Sequence, residues 1–167
     1  IKNVGFEAVS DLVKEREKNG KFESISDFIN RVDPKNINKL QLEGMVKAGV
    51  FDSIFKNRKN LFNNIPNIIQ NCKNLHDNKI QNQTSLFSDE HQKVSYLMND
   101  KNSTDWSSAE TLSKEFESVG FYISNHPLKG YEDILKQYNV KLFTEFEKSK
   151  DPQTFIAGTV MSVKEKK

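Results

Sequence analysis

Two kinds of short stretch in this sequence of 167 residues carry chemistry. The first is Gln83-Thr84-Ser85-Leu86-Phe87, set in a region rich in Asn, Asp, Gln, Lys and Ser. Leu86 and Phe87 have no local apolar neighbours there. Each offers roughly 1.5–3 kcal/mol on full burial in a pocket. The Gln83 amide both donates and accepts hydrogen bonds, which orients a docked peptide. The second kind is a tight turn that runs straight into a helix. Lys2-Asn3-Val4-Gly5 precedes one, and Lys47-Ala48-Gly49 lies in another. The first backbone N–H groups of a helix have no partner within it, so such a turn can hold a phosphate oxygen. Contact of this kind grips a nucleic-acid backbone without reading bases.

Other chemistry is poorly supported. Lys and Arg total 25 against 23 Asp and Glu, a net charge of +2. A strongly basic nucleic-acid binder is excluded, and any DNA contact has to be local. Residues 1–60 hold twelve Lys/Arg and nine Asp/Glu, so few counterions are released and binding should be weak and salt-dependent. His76, His91 and His126 are scattered, with no companions at metal-ligand spacing. His126, before a proline, reads as a turn residue. No nucleophile–base pair or carboxylate cluster is visible, and no catalytic residue is assigned. Cys72 is the single cysteine, which rules out an internal disulfide and fits a reducing cytoplasm. No apolar run reaches membrane-spanning length, and no secretory signal appears. Both ends read as cut.

The elements that must position these stretches are mostly helical. Ala8, Val9, Leu12 and Val13 recur at helical spacing before Asn19-Gly20. Ile25, Phe28, Ile29 and Val32 form a second face, started by Ser24 with Asp27. A third helix opens near Asn38, with Gln41 at the capping-box position, and ends at Ala48-Gly49. Asp52 suits the N-cap of a fourth helix through Phe55, Leu61, Phe62, Ile65, Ile68, Ile69 and Cys72, with a break near Asn64 forced by Pro66. Cys72 belongs to that apolar face and reads as buried; Trp106 reads as a core anchor. Residues 73–105 read as a flexible segment. Ala109, Leu112, Phe116 and Val119 line a helix that stops at Gly120. Leu128, Tyr131, Ile134, Leu135 and Tyr138 suggest another, and residues 154–163 alternate like a β-strand.

The turn at Asn3-Val4-Gly5 resembles that of a helix-hairpin-helix motif, usually Gly-hydrophobic-Gly. Asn3 replaces the first glycine and tolerates a left-handed backbone better than most residues. "MVKAGVFDSI" (Met45 to Ile54) follows at a spacing that fits a tandem pair. The bland alternative makes both turns ordinary helix corners with glycine C-caps. "QTSLF" resembles the bacterial sliding-clamp-binding motif, Gln-x-Ser/Asp-Leu/Met-Phe, at every defined position. A chance match in a chain of this length is on the order of one in a hundred. Its alternative is that Leu86-Phe87 packs on its own chain.

Together with "IKNVGFEAV", "NGKFESISDFINRVD", "INKLQLEGMVKAGVFDSI", "FESVGFYISNHPL" and "FIAGTV", these features resemble the alpha subunit of bacterial DNA polymerase III over essentially the whole chain. The resemblance implies a mainly α fold in four parts. These are a tandem helix-hairpin-helix domain at 1–72, a flexible segment with the clamp motif at 73–105, a small helical unit at 106–150, and the first strand of a truncated OB-fold at 151–167. It implies that Gln83, Ser85, Leu86 and Phe87 bind the sliding clamp. Lys2, Asn3, Val4, Gly5, Lys47, Ala48 and Gly49 would approach double-stranded DNA, and the longer protein would meet other holoenzyme subunits in the cytoplasm, away from membranes. The parent would be a DNA-directed DNA polymerase using Mg2+, with its catalytic aspartates upstream of Ile1; no cofactor is expected in this segment. Two other classes stay open: a DNA-binding module in which QTSLF is incidental, and a structural spacer.

Overall fold

The computed structural model describes residues 1–80, 103–160 and 163–166. It divides into two units, Ile1–Tyr122 and Ile123–Lys167. In the first, α1 (Phe6–Asn19) ends at Gly20, whose φ of 83° suits a residue without Cβ. In α2 (Ile25–Arg31) the Ser24 hydroxyl accepts from the Asp27 N–H at 3.0 Å. A 3-10 turn at Pro34–Asn36 leads to α3 (Lys39–Lys47), which opens with the Asn38–Gln41 capping box. Then come α4 (Arg58–Asn63), α5 (Ile65–Ile80) and α6 (Ser108–Val119), which stops at Gly120.

The core of this unit gathers Phe28 and Ile29 from α2, Leu42, Met45 and Val46 from α3, Leu61 from α4, and Ile65, Ile68 and Cys72 from α5. Phe51 joins them edge-on to Phe28, with ring centroids 5.1 Å apart. Arg31 ties α1 to α2. Its guanidinium donates to Glu15 at 2.9 Å, to Asp27 at 3.0 Å and to the Gly20 carbonyl at 2.8 Å, and lies over the Phe22 ring. Trp106 packs on Phe62, and the stretch before α6 is anchored to α4. Asn57 and Asn60 donate to Ser103, and the Lys59 N–H donates to Asp105.

The second unit holds a 3-10 turn at Lys129–Tyr131, α7 (Glu132–Gln137) and α8 (Phe143–Lys148). His126 is a turn residue, its Nδ1 accepting the Leu128 N–H at 3.1 Å. None of this unit's described residues is fully buried, and Ile134, Tyr138, Leu142, Phe143, Phe155 and Ile156 are exposed.

One expectation is corrected. The β-strand foreseen at the C-terminus is not formed: the described residues of the chain contain no strand, and those of 151–166 are irregular. The Phe155 carbonyl accepts from the Lys141 N–H at 3.3 Å, but no ladder follows. Alternation of side chains gives a strand two faces, whereas the strand itself needs a neighbouring chain to pair its N–H and C=O groups. The mainly α character holds.

Candidate nucleic-acid interface

The first turn has the backbone its sequence suggested. Asn3 sits at φ 63°, in the left-handed region. Gly5 is the N-cap of α1, extended at φ −71° and ψ 151°, and no side chain caps the helix start. A Cβ built on Gly5 meets nothing within 4 Å, so the approach to this helix end is open. Val4 points the other way and packs against the core. The turn rests on α3 at Gly44, where an added Cβ would stand 3.1 Å from both Ile1 Cγ2 and the Lys2 carbonyl. The Lys2 N–H donates to the Ser118 carbonyl near the end of α6 at 2.7 Å. Glu7, in the first turn of α1, favours the helix dipole but repels an incoming anion.

The second turn is built differently. The Gly49 N–H donates to the Val46 carbonyl and the Val50 N–H to the Met45 carbonyl, both at 3.0 Å, which is a Schellman C-cap on α3. Gly49 has φ 76°. A Cβ there would stand 2.7 Å from Arg58 Cζ and 2.8 Å from Asp52 Oδ2. Ala48 is buried. The Lys47 side chain is only 14% exposed; its ammonium donates to Glu117 at 2.7 Å and lies over the Phe62 ring. The structure therefore brings Lys2, Asn3, Val4 and Gly5 together around an open helix start. It places Lys47, Ala48 and Gly49 against an internal polar cluster. Gln83, Ser85, Leu86 and Phe87 lie outside the described residues.

That cluster centres on Arg58, which the sequence reading missed. Arg58 donates to both Asp52 oxygens at 2.8 and 2.6 Å, and to Glu115 Oε1 at 2.9 Å. Glu115 is fully buried. The hydrogen bonds with Asp52 first, and with Glu115, hold the guanidinium above its ordinary pKa despite its desolvation. Asp52 is thus a partner of Arg58, while Asn57 caps α4. The only signal for the pair was a Glu next to the apolar line of α6, 57 positions from its arginine.

Glu117 has its pKa lowered, chiefly by the Lys47 hydrogen bond. A depressed carboxylate stabilises the fold above its unfolded value and loses that contribution as pH falls through the folded one. The Lys47–Glu117 term is therefore expected to be complete above the ordinary value of 4.5 and to fade below it. Because Glu117 is half exposed, it should be worth under about 1 kcal/mol. Urea unfolding of Glu117→Gln beside wild type checks this: a gap near pH 6 should close by about pH 3.

Among the described residues, no group of three or more His, Cys, Asp or Glu could hold a metal ion, and no helix is long and apolar enough to cross a membrane.

Residues 1–61, which include both turns, match the family described as helix-hairpin-helix motif. The DNA polymerase III subunit alpha of Borreliella burgdorferi is 38% identical over 167 residues, covering 98% of this chain and 15% of the relative. That of Caulobacter vibrioides is 34% identical over 87% of this chain and 12% of the relative. That of Aquifex aeolicus is 34% identical over 100% of this chain and 13% of the relative. The chain is a segment of the DNA polymerase III alpha-subunit family and spans only about an eighth to a seventh of the relatives' length.

Proposed function

We propose that this segment helps a replicative DNA polymerase stay on its template, holding the duplex backbone at the start of α1 and the sliding clamp at QTSLF. The observation that carries the DNA half is the uncapped, unobstructed helix start behind Asn3-Val4-Gly5. Free N–H groups and the positive end of the helix dipole attract a phosphate oxygen, with Lys2 nearby to add charge. Lys47 joins only by exchanging Glu117 for a phosphate. The clamp half rests on the match of Gln83, Ser85, Leu86 and Phe87 to a clamp ligand. Joining a modest peptide contact to a closed ring converts dissociation into rebinding at high effective concentration. In this proposal the longer protein is the nucleotidyltransferase, works in the cytoplasm with other replisome subunits, and draws its divalent metal chemistry from elsewhere in its chain.

Gly5→Val tests the DNA half cleanly. The extended backbone accepts a β-branched residue and the space is empty, so stability should change by about 1 kcal/mol or less. Fluorescence anisotropy with duplex DNA at low salt should show affinity weakened about tenfold or more, the worth of a charged hydrogen bond. The salt slope should shrink by about one unit per lost phosphate. Unchanged DNA affinity in Gly5→Val would remove the turn from the interface. Calorimetric titration with the sliding clamp tests the other half, and absence of heat from a competent clamp would leave the DNA contact alone.

A further inference from the structure

Glu117 holds a different lysine at each of its carboxylate oxygens. The Lys47 ammonium, from the end of α3, lies 2.7 Å from Oε1, and that of Lys114, one turn earlier on α6, lies 3.5 Å from Oε2. The Phe62 ring of α4 backs the Lys47 ammonium, with its centroid 5.5 Å away, and so fixes that cation from a second side. Lys47 is largely covered, whereas Glu117 is 54% exposed and forms the outer half of the pair. The docking of α6 does not hang on this carboxylate. Glu115 reaches Arg58 inside the fold, and the Ser118 carbonyl accepts the Lys2 N–H. That last bond also sets Glu117 beside the chain that leads into the open start of α1.

We propose that Lys47 and Lys114 form a second seat for a phosphate of duplex DNA, beside the start of α1, and that Glu117 occupies this seat as an internal stand-in until DNA displaces it. The inference deepens the proposed duplex contact and rests on it. A carboxylate and a backbone phosphate both offer anionic oxygens to ammonium donors, so one can take the other's place. With the seat empty, two like charges would face each other with nothing between them, and Glu117 removes that repulsion in the free protein. The exchange costs little, because an ion pair half open to water contributes little and the freed carboxylate is rehydrated at the surface. A duplex already held at the α1 turn presents its next phosphates at high effective concentration, whereas a passing anion does not. The stand-in therefore favours DNA seated in register over loosely held polyanions.

Fluorescence anisotropy with duplex DNA at low salt, on the full-length alpha subunit, tests this through Glu117→Gln, Lys47→Met and the two combined. Glu117→Gln is expected to tighten binding about fivefold, the competition of a half-exposed ion pair expressed as affinity. In the Lys47→Met background the same change is expected to bring no gain, and in a Lys114→Gln background a smaller one, because the seat has lost a donor. Lys47→Gln replaces Lys47→Met should that variant misfold. A full gain in either lysine background would be long-range relief of repulsion and would overturn the proposal, as would no gain from Glu117→Gln alone. Gly5→Val run alongside separates the seat from the reading beneath it. Weakened binding in Gly5→Val with no gain in Glu117→Gln overturns the seat alone; unchanged binding in both overturns the seat and the α1 contact together.

Discussion

Arg58→Ala should cost about 3–5 kcal/mol of folding stability, the range for removing one partner of a buried ion pair. The loss is not the strength of the Arg58–Glu115 attraction alone. Glu115 is fully buried, and without the guanidinium its carboxylate keeps the desolvation cost and loses the 2.9 Å hydrogen bond that offsets it. The reverse change should cost less. In Glu115→Ala, Arg58 still donates to both oxygens of Asp52. Replacing the pair together, as Arg58→Met with Glu115→Leu, should recover much of the loss, because matched apolar volume can stand in for a buried pair. Urea unfolding followed by the single tryptophan measures all three, since Trp106 packs on Phe62 inside the same unit. Equal losses for the two single variants would show that Asp52 gives Arg58 no independent support. Gly49→Ala should act on the same cluster, since its Cβ would displace the guanidinium while φ 76° strains the backbone.

Changing Leu86 and Phe87 together to Ala should abolish measurable binding to the sliding clamp. On the proposed reading the two side chains contribute roughly 3–6 kcal/mol between them when buried in a partner pocket. At about 1.4 kcal/mol per tenfold, that exceeds a hundredfold in affinity, enough to carry a micromolar contact out of range. Duplex binding through the α1 turn should be unaffected, so anisotropy with DNA run beside the clamp titration separates the two contacts. Retained clamp affinity in the double variant would transfer the clamp site to another part of the protein.

Local signals are legible in the sequence. Ser24 with Asp27, Asn38 with Gln41, the stops at Gly20, Gly49 and Gly120 and the break at Asn64 all arise within a few residues of chain, where capping geometry and left-handed glycines leave their mark. Cys72 is legible because helical periodicity reports burial, whereas Trp106, ahead of α6, is partly buried and packs against the core. What failed depended on distant residues. Asp52 looks like an N-cap until Arg58 turns to meet it, and Glu115 looks like surface until α6 closes over α3. The strand pattern of residues 154–163 specified two faces but no partner. Of the candidate site, the left-handed Asn3 was legible from residue type. That Lys47 would spend its charge on Glu117 was not, because the pair joins positions 70 apart.

The separation of 57 positions between Arg58 and Glu115 also bears on the order of folding. Contacts within α2, α3 and the start of α5 close short loops, whereas the arrival of α6 closes a long one and is reached after more chain entropy has been lost. Glu115 should therefore have a low φ-value, its contact with Arg58 absent at the transition state, whereas the Arg58–Asp52 contact six positions apart is local. In a chevron analysis Glu115→Ala should leave the refolding limb almost unmoved and raise the unfolding rate by most of its equilibrium effect. The buried pair then acts as a kinetic latch: it does little to guide the chain in, and it sets how long the chain stays.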